Sequence, residues 1–180
     1  MSTQDQAGHS DVHLTPLPGW LRIVLIGRNP RATLVRVAAL VVICFIIFKF
    51  VLLHIQVEGI SMLPTYPDNS KHFLNRLAYL QHEPQRGDVV GIRLAGIHMM
   101  YFKRIVGLPG ESVAFVAGRV MINGRVLDEP YEKYSCDWNR PSVRLGSDEY
   151  FVVGDNRSMP QQDHVFGKVE RARIIGKAIL

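Results

Sequence analysis

The sequence predicts a mainly β protein, in which one N-terminal transmembrane helix precedes an all-β domain of short antiparallel strands. Two observations lead to this fold class. An apolar run covers residues 37–53, and Lys49 is its only polar residue. Beyond it, short runs rich in β-branched and aromatic residues alternate with Gly, Pro, Asn and Asp, as in strands joined by turns. A chain of 180 residues has room for one such domain and an anchor.

The apolar run is almost long enough to cross a bilayer. A helix over residues 37–53 would be ~25 Å long, slightly less than a bilayer core. Extension to residues 33–55 is sufficient if Arg36 and Lys49 reach with their charged ends toward the two interfaces. We therefore predict a cytoplasmic tail at 1–36, a transmembrane anchor at 37–55 and an exported domain at 56–180. The alternative is a buried core helix.

Basic residues before the anchor predict its orientation. Arg22, Arg28, Arg31 and Arg36 precede the span, and such residues stay on the cytoplasmic side of a membrane. The N-terminus is then cytoplasmic and the β domain is translocated. We expect no cleavable signal peptide, because the preceding tail is long and no small-residue cleavage site follows the span.

The charge balance does not indicate a nucleic-acid-binding protein. The net charge is +5, but the four arginines before the span account for much of it, and the other basic residues are interspersed with acids. The basic excess is better suited to contact with anionic lipid headgroups.

Cysteine and histidine usage argues against a disulfide-stabilised domain and against a metal site. Of the two cysteines, Cys44 lies in the predicted span and Cys136 in the exported part, so the domain must fold without an internal disulfide. The seven histidines form no H-x-x-x-H pair and have no nearby cysteine pair, so we predict neither a metal nor another cofactor.

Six segments beyond the span have strand character. Asn123-Gly124 separates two of them and is a strong hairpin signal, because a type I′ turn requires positive φ at both positions. A short helical turn is conceivable around Asn75–Leu80. The predicted strands are Asp88–Arg93, Met100–Val106, Val113–Val116, Val120–Ile122, Val126–Leu127 and Tyr150–Val153.

Ser61 and Lys103 are the candidate catalytic residues. Ser61 lies in Gly59-Ile-Ser61-Met62-Leu-Pro64-Thr65, and Lys103 in Tyr101-Phe-Lys103-Arg104-Ile-Val-Gly107. A serine paired with a lysine is a recurring hydrolytic nucleophile, provided that apolar surroundings keep the lysine uncharged. Such surroundings are present in Met99, Met100, Tyr101, Phe102, Ile105 and Val106. Taken singly, either residue would be an ordinary surface group.

The residues around Ser61 suit a rigid loop. Gly59 permits close backbone approach, and Pro64 keeps the following segment out of a regular strand. The Ser61 N–H is then a candidate oxyanion donor, although an ordinary turn would use the same residue types. Ser61 follows Leu53 by eight residues, which reach at most ~27 Å. The site must therefore stay close to the membrane surface.

These motifs resemble the type I signal peptidases, membrane-anchored serine–lysine proteases, over essentially all of residues 57–180. The resemblance implies that Ser61 attacks the scissile carbonyl and Lys103 takes its proton. It also implies that Gly59, Met62, Asp155 and Asn156 shape the site. The matching segments are Ser61-Met62-x-Pro64-Thr65, Arg86-Gly87-Asp88-Val89-Val90, Lys103-Arg104-Ile105-Val106-Gly107-x-Pro109-Gly110 and Gly154-Asp155-Asn156-Arg157, with weaker matches at Val120–Gly124, Glu129–Tyr131 and Phe166-Gly167.

One loop departs from the family pattern. After Arg157 the family usually has a serine, an aspartate, a second serine and an arginine, and without a gap these positions are Pro160, Gln162, Asp163 and His164. The serine that by resemblance orients the lysine is missing, and so is the aspartate–arginine ion pair. Ser158 or Asp163 could substitute. We favour Ser158, because a carboxylate would raise the lysine pKa. Gly59 also offers no hydroxyl to the oxyanion.

The resemblance implies removal of N-terminal signal peptides from exported preproteins by a single-pass enzyme of the inner (cytoplasmic) membrane. Acyl transfer to Ser61 would precede hydrolysis. Expected partners are the lipid bilayer and signal peptides with small residues at −1 and −3, with no nucleic acid, and we expect a monomer. The substrate strand would add to a sheet edge near residues 88–93 or 99–103.

Three alternatives stay open. The first is a maturation peptidase dedicated to a pilus, conjugation or secretion system, which would fit the altered loop. The second is a catalytically inactive homologue that binds signal peptides without cutting them. The third is a mitochondrial inner-membrane peptidase of similar architecture.

Overall fold

The computed structural model describes residues 29–93 and 100–179. The predicted tail up to residue 28, with Arg22 and Arg28, and also Met99 lie outside the described residues. The contacts of the chain separate two compact units, with a boundary between Phe45 and Ile46.

The first described element is an apolar helix. Helix α1 (Pro30–Ile46) starts at a proline, which suits the first turn, and Asn29 caps it by accepting a hydrogen bond from the Arg31 N–H at 3.2 Å. A π-helical turn (Ile47–Val51) continues it. Within the described residues, Pro30–Val51 is the one segment long and apolar enough to cross a membrane. Its apolar side chains are exposed all round, which argues against a buried core helix.

The end of the helix corrects a predicted boundary. We placed residues 52–55 in the span, but they belong to strand β1 (Leu52–Gln56), which pairs antiparallel with β2 (Lys71–Asn75). The apolar run continues into this strand because Ile55 enters the protein core. An apolar run alone does not distinguish the end of a span from the start of a buried strand.

Beyond β1 and β2, the described strands are β3 (Val89–Arg93), β4 (Met100–Gly107), β5 (Ser112–Val116), β6 (Arg119–Ile122), β7 (Arg125–Val126), β8 (Arg140–Arg144), β9 (Glu149–Val153), β10 (Gly167–Glu170) and β11 (Ile174–Ile179). The described residues form two antiparallel sheets. The larger has seven strands in the order β1-β2-β11-β3-β4-β9-β10, and the smaller has four in the order β7-β6-β5-β8.

The six predicted strands are confirmed to within a residue or two as β3, β4, β5, β6, β7 and β9. The hairpin is confirmed as well, since Asn123 and Gly124 have φ angles of 51° and 79°. At Asn75–Leu80, where a turn of helix was conceivable, the structure has two separate i→i+3 hydrogen-bonded turns and no continuous helix. They are closed by bonds from Ala78 N–H to Asn75 O and from Leu80 N–H to Leu77 O.

A buried ion pair joins the loop between β7 and β8 to the loop that follows β9. The side chains of Arg157 and Glu129 are 0% and 4% exposed, and Arg157 Nη2 lies 2.5 Å from Glu129 Oε1. Arg157 also donates to the Gly154 carbonyl, and Glu129 accepts from the Tyr131 hydroxyl. Because both charges are buried, each depends on the other for compensation.

We expect Arg157→Met to lower the free energy of unfolding by about 3–5 kcal/mol, because the Glu129 carboxylate would stay buried without its cation. Adding Glu129→Gln should recover part of this loss. Denaturant unfolding of the detergent-solubilised protein measures both values.

The matched control is Arg171→Met, because Arg171 pairs with Glu83 at the surface, where Glu83 is 72% exposed. Such a pair contributes about 0–1 kcal/mol. Equal losses at Arg157 and Arg171 would contradict the role assigned to the buried pair.

Candidate active site

Ser61 lies in the turn between β1 and β2. Gly59 precedes it at φ 95°, a conformation that disfavours side chains, and its N–H donates to Asp68 Oδ1 at 2.7 Å. Met62 is 1% exposed and anchors the turn in the core. The Leu63–Pro64 peptide bond is cis. The bond from Gly59 to Asp68 and the burial of Met62 hold the backbone that presents the partly exposed Ser61.

Asn156 holds the same turn from the loop after β9. Its side-chain N–H donates to the Ile60 carbonyl and its backbone N–H donates to the Ser61 carbonyl, both at 3.0 Å. Both carbonyls therefore point toward this loop. Within the described part of the chain, the Ser61 N–H makes no hydrogen bond, so it remains available as an oxyanion donor.

Lys103 reaches Ser61 from the interior strand β4. Its Nζ lies 2.7 Å from Ser61 Oγ, and the lysine is only 3% exposed. Burial lowers the pKa of Lys103 from 10.5 to about 8, and the Asp155 charge partly opposes this change. A neutral amine is therefore accessible near neutral pH, as a general base requires.

The next residue on β4, Arg104, forms a two-bond ion pair with Asp155. Its Nε and Nη2 donate to the two carboxylate oxygens of Asp155 at 2.8 and 2.6 Å, and the Thr65 hydroxyl donates to the same carboxylate at 2.6 Å. Asp155 is fully buried. Sequence reasoning gave no role to Arg104 or Thr65, because their contacts with residue 155 arise only in the folded chain.

The Ser158 hydroxyl, which we expected to orient Lys103, bonds Asn156 instead. The Ser158 hydroxyl donates to Asn156 Oδ1 at 2.7 Å and thus fixes the orientation of the Asn156 amide. Asp163, the other suggested substitute, is exposed. Among acids, Asp155 is the one whose charge acts on Lys103.

His164 is a residue of this site that sequence reasoning did not assign. It is 4% exposed and packs edge-on against Trp138, with ring centroids 4.9 Å apart. Burial first, and then the charges of Lys103 and Arg157, lower its pKa to about 3, while the backbone of Asn156 and Val165 acts in the opposite direction. The imidazole is therefore neutral at physiological pH.

A cavity of about 360 Å³ opens beside Ser61. Its apolar part is formed by Ile55, Met62, Leu74 and Phe102, and Gly91 leaves room for the Leu74 side chain. Residues 54–56 of β1 and 100–102 of β4 line it as well. The cavity is large enough for small side chains of a peptide.

Of the two segments suggested as a sheet edge for the substrate strand, one is not an edge. Residues 88–93 are not an edge, because β3 pairs with β11 on one side and β4 on the other. Pairing of β4 with β9 begins only at Arg104. Met100–Lys103 therefore has one side without a strand partner in the described chain, and β1 is the last strand of its sheet. The cavity lies between these two edges.

Known proteins with similar sequences are described as signal peptidases. A family model described as signal peptidase, peptidase S26, matches residues 31–180. Signal peptidase I of Leptolyngbya laminosa is 34% identical over 128 residues, which cover 67% of this chain and 63% of that protein. A probable signal peptidase I-2 of Synechocystis is 32% identical over 67% of this chain and 58% of its own length. The chain thus spans less than two thirds of these two relatives.

A further relative and a solved structure also carry the name signal peptidase. Signal peptidase IB of Staphylococcus aureus is 28% identical over 162 residues, which cover 80% of this chain and 84% of that protein. A crystal structure of a signal peptidase I from Enterococcus faecalis superposes with a TM-score of 0.43 at 30% identity, covering 53% of this chain and 96% of that one.

We expect hydrolytic activity to rise with pH through about 8, because Lys103 can accept a proton only after losing its own. Lys103→Arg should be inactive at every pH, because a guanidinium remains protonated. Initial rates between pH 5 and 10 measure both. An active Lys103→Arg protein would exclude Lys103 as the base.

We expect Asp155→Asn to move the rise in activity to lower pH, because it removes the charge that raises the pKa of Lys103. It should also destabilise the fold by about 3–5 kcal/mol, because Arg104 would remain buried without its anion. Asp163→Asn is the matched control at an exposed position of the same loop and should change neither quantity. A pH profile of Asp155→Asn that overlays that of the wild type would contradict the coupling.

Proposed function

Because the chain belongs to the signal peptidase family, peptidase S26, we propose that it is a membrane-bound serine endopeptidase that removes N-terminal signal peptides from exported preproteins. The observation that carries the proposal is the pair of Ser61 and Lys103, with 2.7 Å between hydroxyl and amine and the lysine almost completely buried. The pair suits nucleophilic catalysis because the base is close, neutral near pH 8 and shielded from water.

Acylation would begin with the transfer of the Ser61 proton to the neutral Lys103 amine. Ser61 Oγ then forms a bond with the scissile carbonyl carbon, and the carbonyl oxygen becomes an oxyanion. The Ser61 N–H is the donor available to stabilise this charge. Lys103 returns the proton to the leaving amine as the peptide C–N bond breaks, which releases the mature protein.

Deacylation would use the same groups with water as the nucleophile. Lys103 removes a proton from the water, whose oxygen attacks the ester carbonyl. The Ser61 ester bond breaks, and the proton goes from Lys103 to Ser61 Oγ. The signal peptide leaves as a carboxylic acid, and both residues regain their starting states.

The cavity beside Ser61 supports a preference for small side chains in the substrate. An extended peptide that pairs with the open side of Met100–Lys103 or with β1 would place alternate side chains toward the cavity. Residues −1 and −3 before the cut point to the same side of such a peptide. We propose that both must be small because Met62, Leu74 and Phe102 limit the depth of the cavity.

The apolar segment Pro30–Val51 supports anchoring in a membrane. We propose a single span with the N-terminus in the cytoplasm and the catalytic domain on the outer face of the inner membrane. Arg31 and Arg36 stand near the N-terminal end of this helix, as the positive-inside rule requires for that orientation.

The decisive experiment incubates the purified full-length chain in detergent micelles with several unrelated preproteins and identifies the new N-termini by mass spectrometry. Cleavage of many preproteins after small residues at −1 and −3 supports the proposal. Cleavage of one substrate only would indicate a dedicated maturation peptidase. Binding without cleavage at any pH would indicate an inactive homologue.

We expect Ser61→Ala to abolish cleavage while the protein remains folded, because the side chain is small and partly exposed. Ser142→Ala is the matched control, because Ser142 is exposed on β8 of the smaller sheet. Rates of preprotein processing and circular dichroism spectra of the three proteins check this. Activity of Ser61→Ala above trace level would exclude Ser61 as the nucleophile.

A further inference from the structure

The side chain of Leu74 on β2 occupies the space beside Gly91 on β3. A Cβ atom at position 91 would lie 2.4 Å from Leu74 Cδ1 and 3.5 Å from its Cγ and Cδ2. Strand β11 lies between β2 and β3 in the sheet, and its residue opposite Leu74 is the small Ala178. Leu74 therefore reaches across β11, and only glycine at position 91 permits this close approach.

Leu74 closes the inner end of the cavity beside Ser61. Leu74 and Gly91 both belong to the cavity lining, yet Leu74 is 0% exposed. It belongs to the same core cluster as Ile55, Met62 and Phe102. The space beside Gly91 is thus filled by this one side chain, and the cavity ends there.

The register of β1 and β2 places Leu74 at the end of the cavity away from the nucleophile. Leu74 pairs with Leu53, near the start of β1, whereas Ser61 lies in the turn that follows β1. Met62 directly follows Ser61 and lines the same cavity. Met62 therefore forms the end beside Ser61, and Leu74 with Gly91 forms the opposite end.

An extended substrate would meet these two ends with different residues. The scissile carbonyl belongs to residue −1, which must lie beside Ser61 Oγ. Residue −3 lies about 7 Å further along an extended peptide, and its side chain points to the same side. Residue −1 then faces the Met62 end of the cavity, and residue −3 faces the Leu74 end.

We propose that Leu74, packed against Gly91, sets the size limit for residue −3 of the substrate. The proposal rests on the function proposed above and assigns part of its selectivity to one pair of residues. A side chain at −3 fits only if it stops short of Leu74. The limit at −1 is separate, because it depends on the Met62 end.

Two substitutions change this end of the cavity in opposite directions. Leu74→Ala removes the side chain that fills the space at Gly91 and so deepens the cavity. Gly91→Ala adds a methyl group where Leu74 Cδ1 now lies. Because the core around Leu74 is closely packed, its side chain must then turn toward the cavity and make it shallower.

Each substitution has a matched control. Leu145→Ala truncates a leucine that is 3% exposed and belongs to a different core cluster. Gly146→Ala adds a methyl group at an exposed glycine, where the nearest atom, Glu149 Oε2, would lie 3.3 Å away. Neither Leu145 nor Gly146 lines the cavity.

We expect Leu74→Ala to raise kcat/KM for a preprotein with leucine at −3, relative to alanine at −3, about tenfold or more. An apolar site discriminates by about this factor for each methylene. Gly91→Ala should lower the corresponding ratio of valine to alanine by a similar factor. Both variants should keep the wild-type ratios at −1, and the two controls should keep them at both positions.

Initial rates with preproteins that differ only at −3 or only at −1, with thermal unfolding of each variant, measure these outcomes. An unchanged −3 ratio in Leu74→Ala would overturn the proposal. So would equal shifts at −1 and −3, or the same shift in Leu145→Ala, because either would indicate a general loosening of the core. If Leu74→Ala does not fold, Leu74→Val and Gly91→Ala decide, and unchanged −3 ratios in both overturn the proposal.

A second readout does not depend on cleavage. Full-length Ser61→Ala in detergent micelles binds fluorescently labelled peptides that extend across the cut and carry alanine or leucine at −3, and anisotropy measures each Kd. Adding Leu74→Ala should tighten binding of the leucine peptide relative to the alanine peptide about tenfold. An unchanged ratio would overturn the proposal. A wild-type protein that cuts no preprotein, with the binding ratio shifted as expected, would instead contradict the proposed function alone.

Discussion

The amine of Lys103 is withdrawn from water and still lies 2.7 Å from the hydroxyl of the partly exposed Ser61, and the rest of the structure depends on this contact. β4 supports it because it is an interior strand, paired with β3 along its length and with β9 from Arg104 onward. Successive side chains on a strand point to opposite faces. Lys103 can therefore remain without an ion-pair partner on one face while Arg104 is fully paired on the other.

The loop after β9 assembles the site from consecutive residues with separate tasks. Gly154 leaves space for the Ser61 carbonyl and the His164 ring, and Asp155 pairs with Arg104. Asn156 fixes the turn that carries Ser61, and Arg157 connects the loop to Glu129, which lies between β7 and β8. Arg104 and Thr65 donate to the oxygens of Asp155, and the effect of burial on the pKa of Lys103 exceeds the opposing effect of the Asp155 charge.

The sequence identified the parts of the fold whose signals are local. Strands β3 to β7 and β9 have β-branched runs bounded by turn residues, and Asn123-Gly124 encodes its own turn. Strand β1 was merged with the span because both are apolar. Strands β2, β8 and β10 contain too many polar residues or a proline to stand out, whereas β11 was missed although its composition resembles that of β3. Ser61 and Lys103 were identifiable from their motifs. The burial of His164 against Trp138 depends on a contact between distant segments, for which one sequence holds no signal. The bond from Ser158 to Asn156 is local, but the sequence did not distinguish it from a contact with Lys103.

The length of chain between the apolar helix and Ser61 constrains how a substrate can approach. β1 starts directly after the π-helical turn. At ~3.3 Å per residue its five residues cover only ~17 Å before the turn that carries Ser61 begins. The connection between the apolar segment and the turn that carries Ser61 is therefore short. The cavity is open between β1 and the free side of Met100–Lys103, so an extended segment can enter between these edges without unfolding any described strand. Backbone pairing at such an edge is independent of side-chain identity. In the proposed reaction, selection among peptides would then depend on the few side chains that enter the cavity.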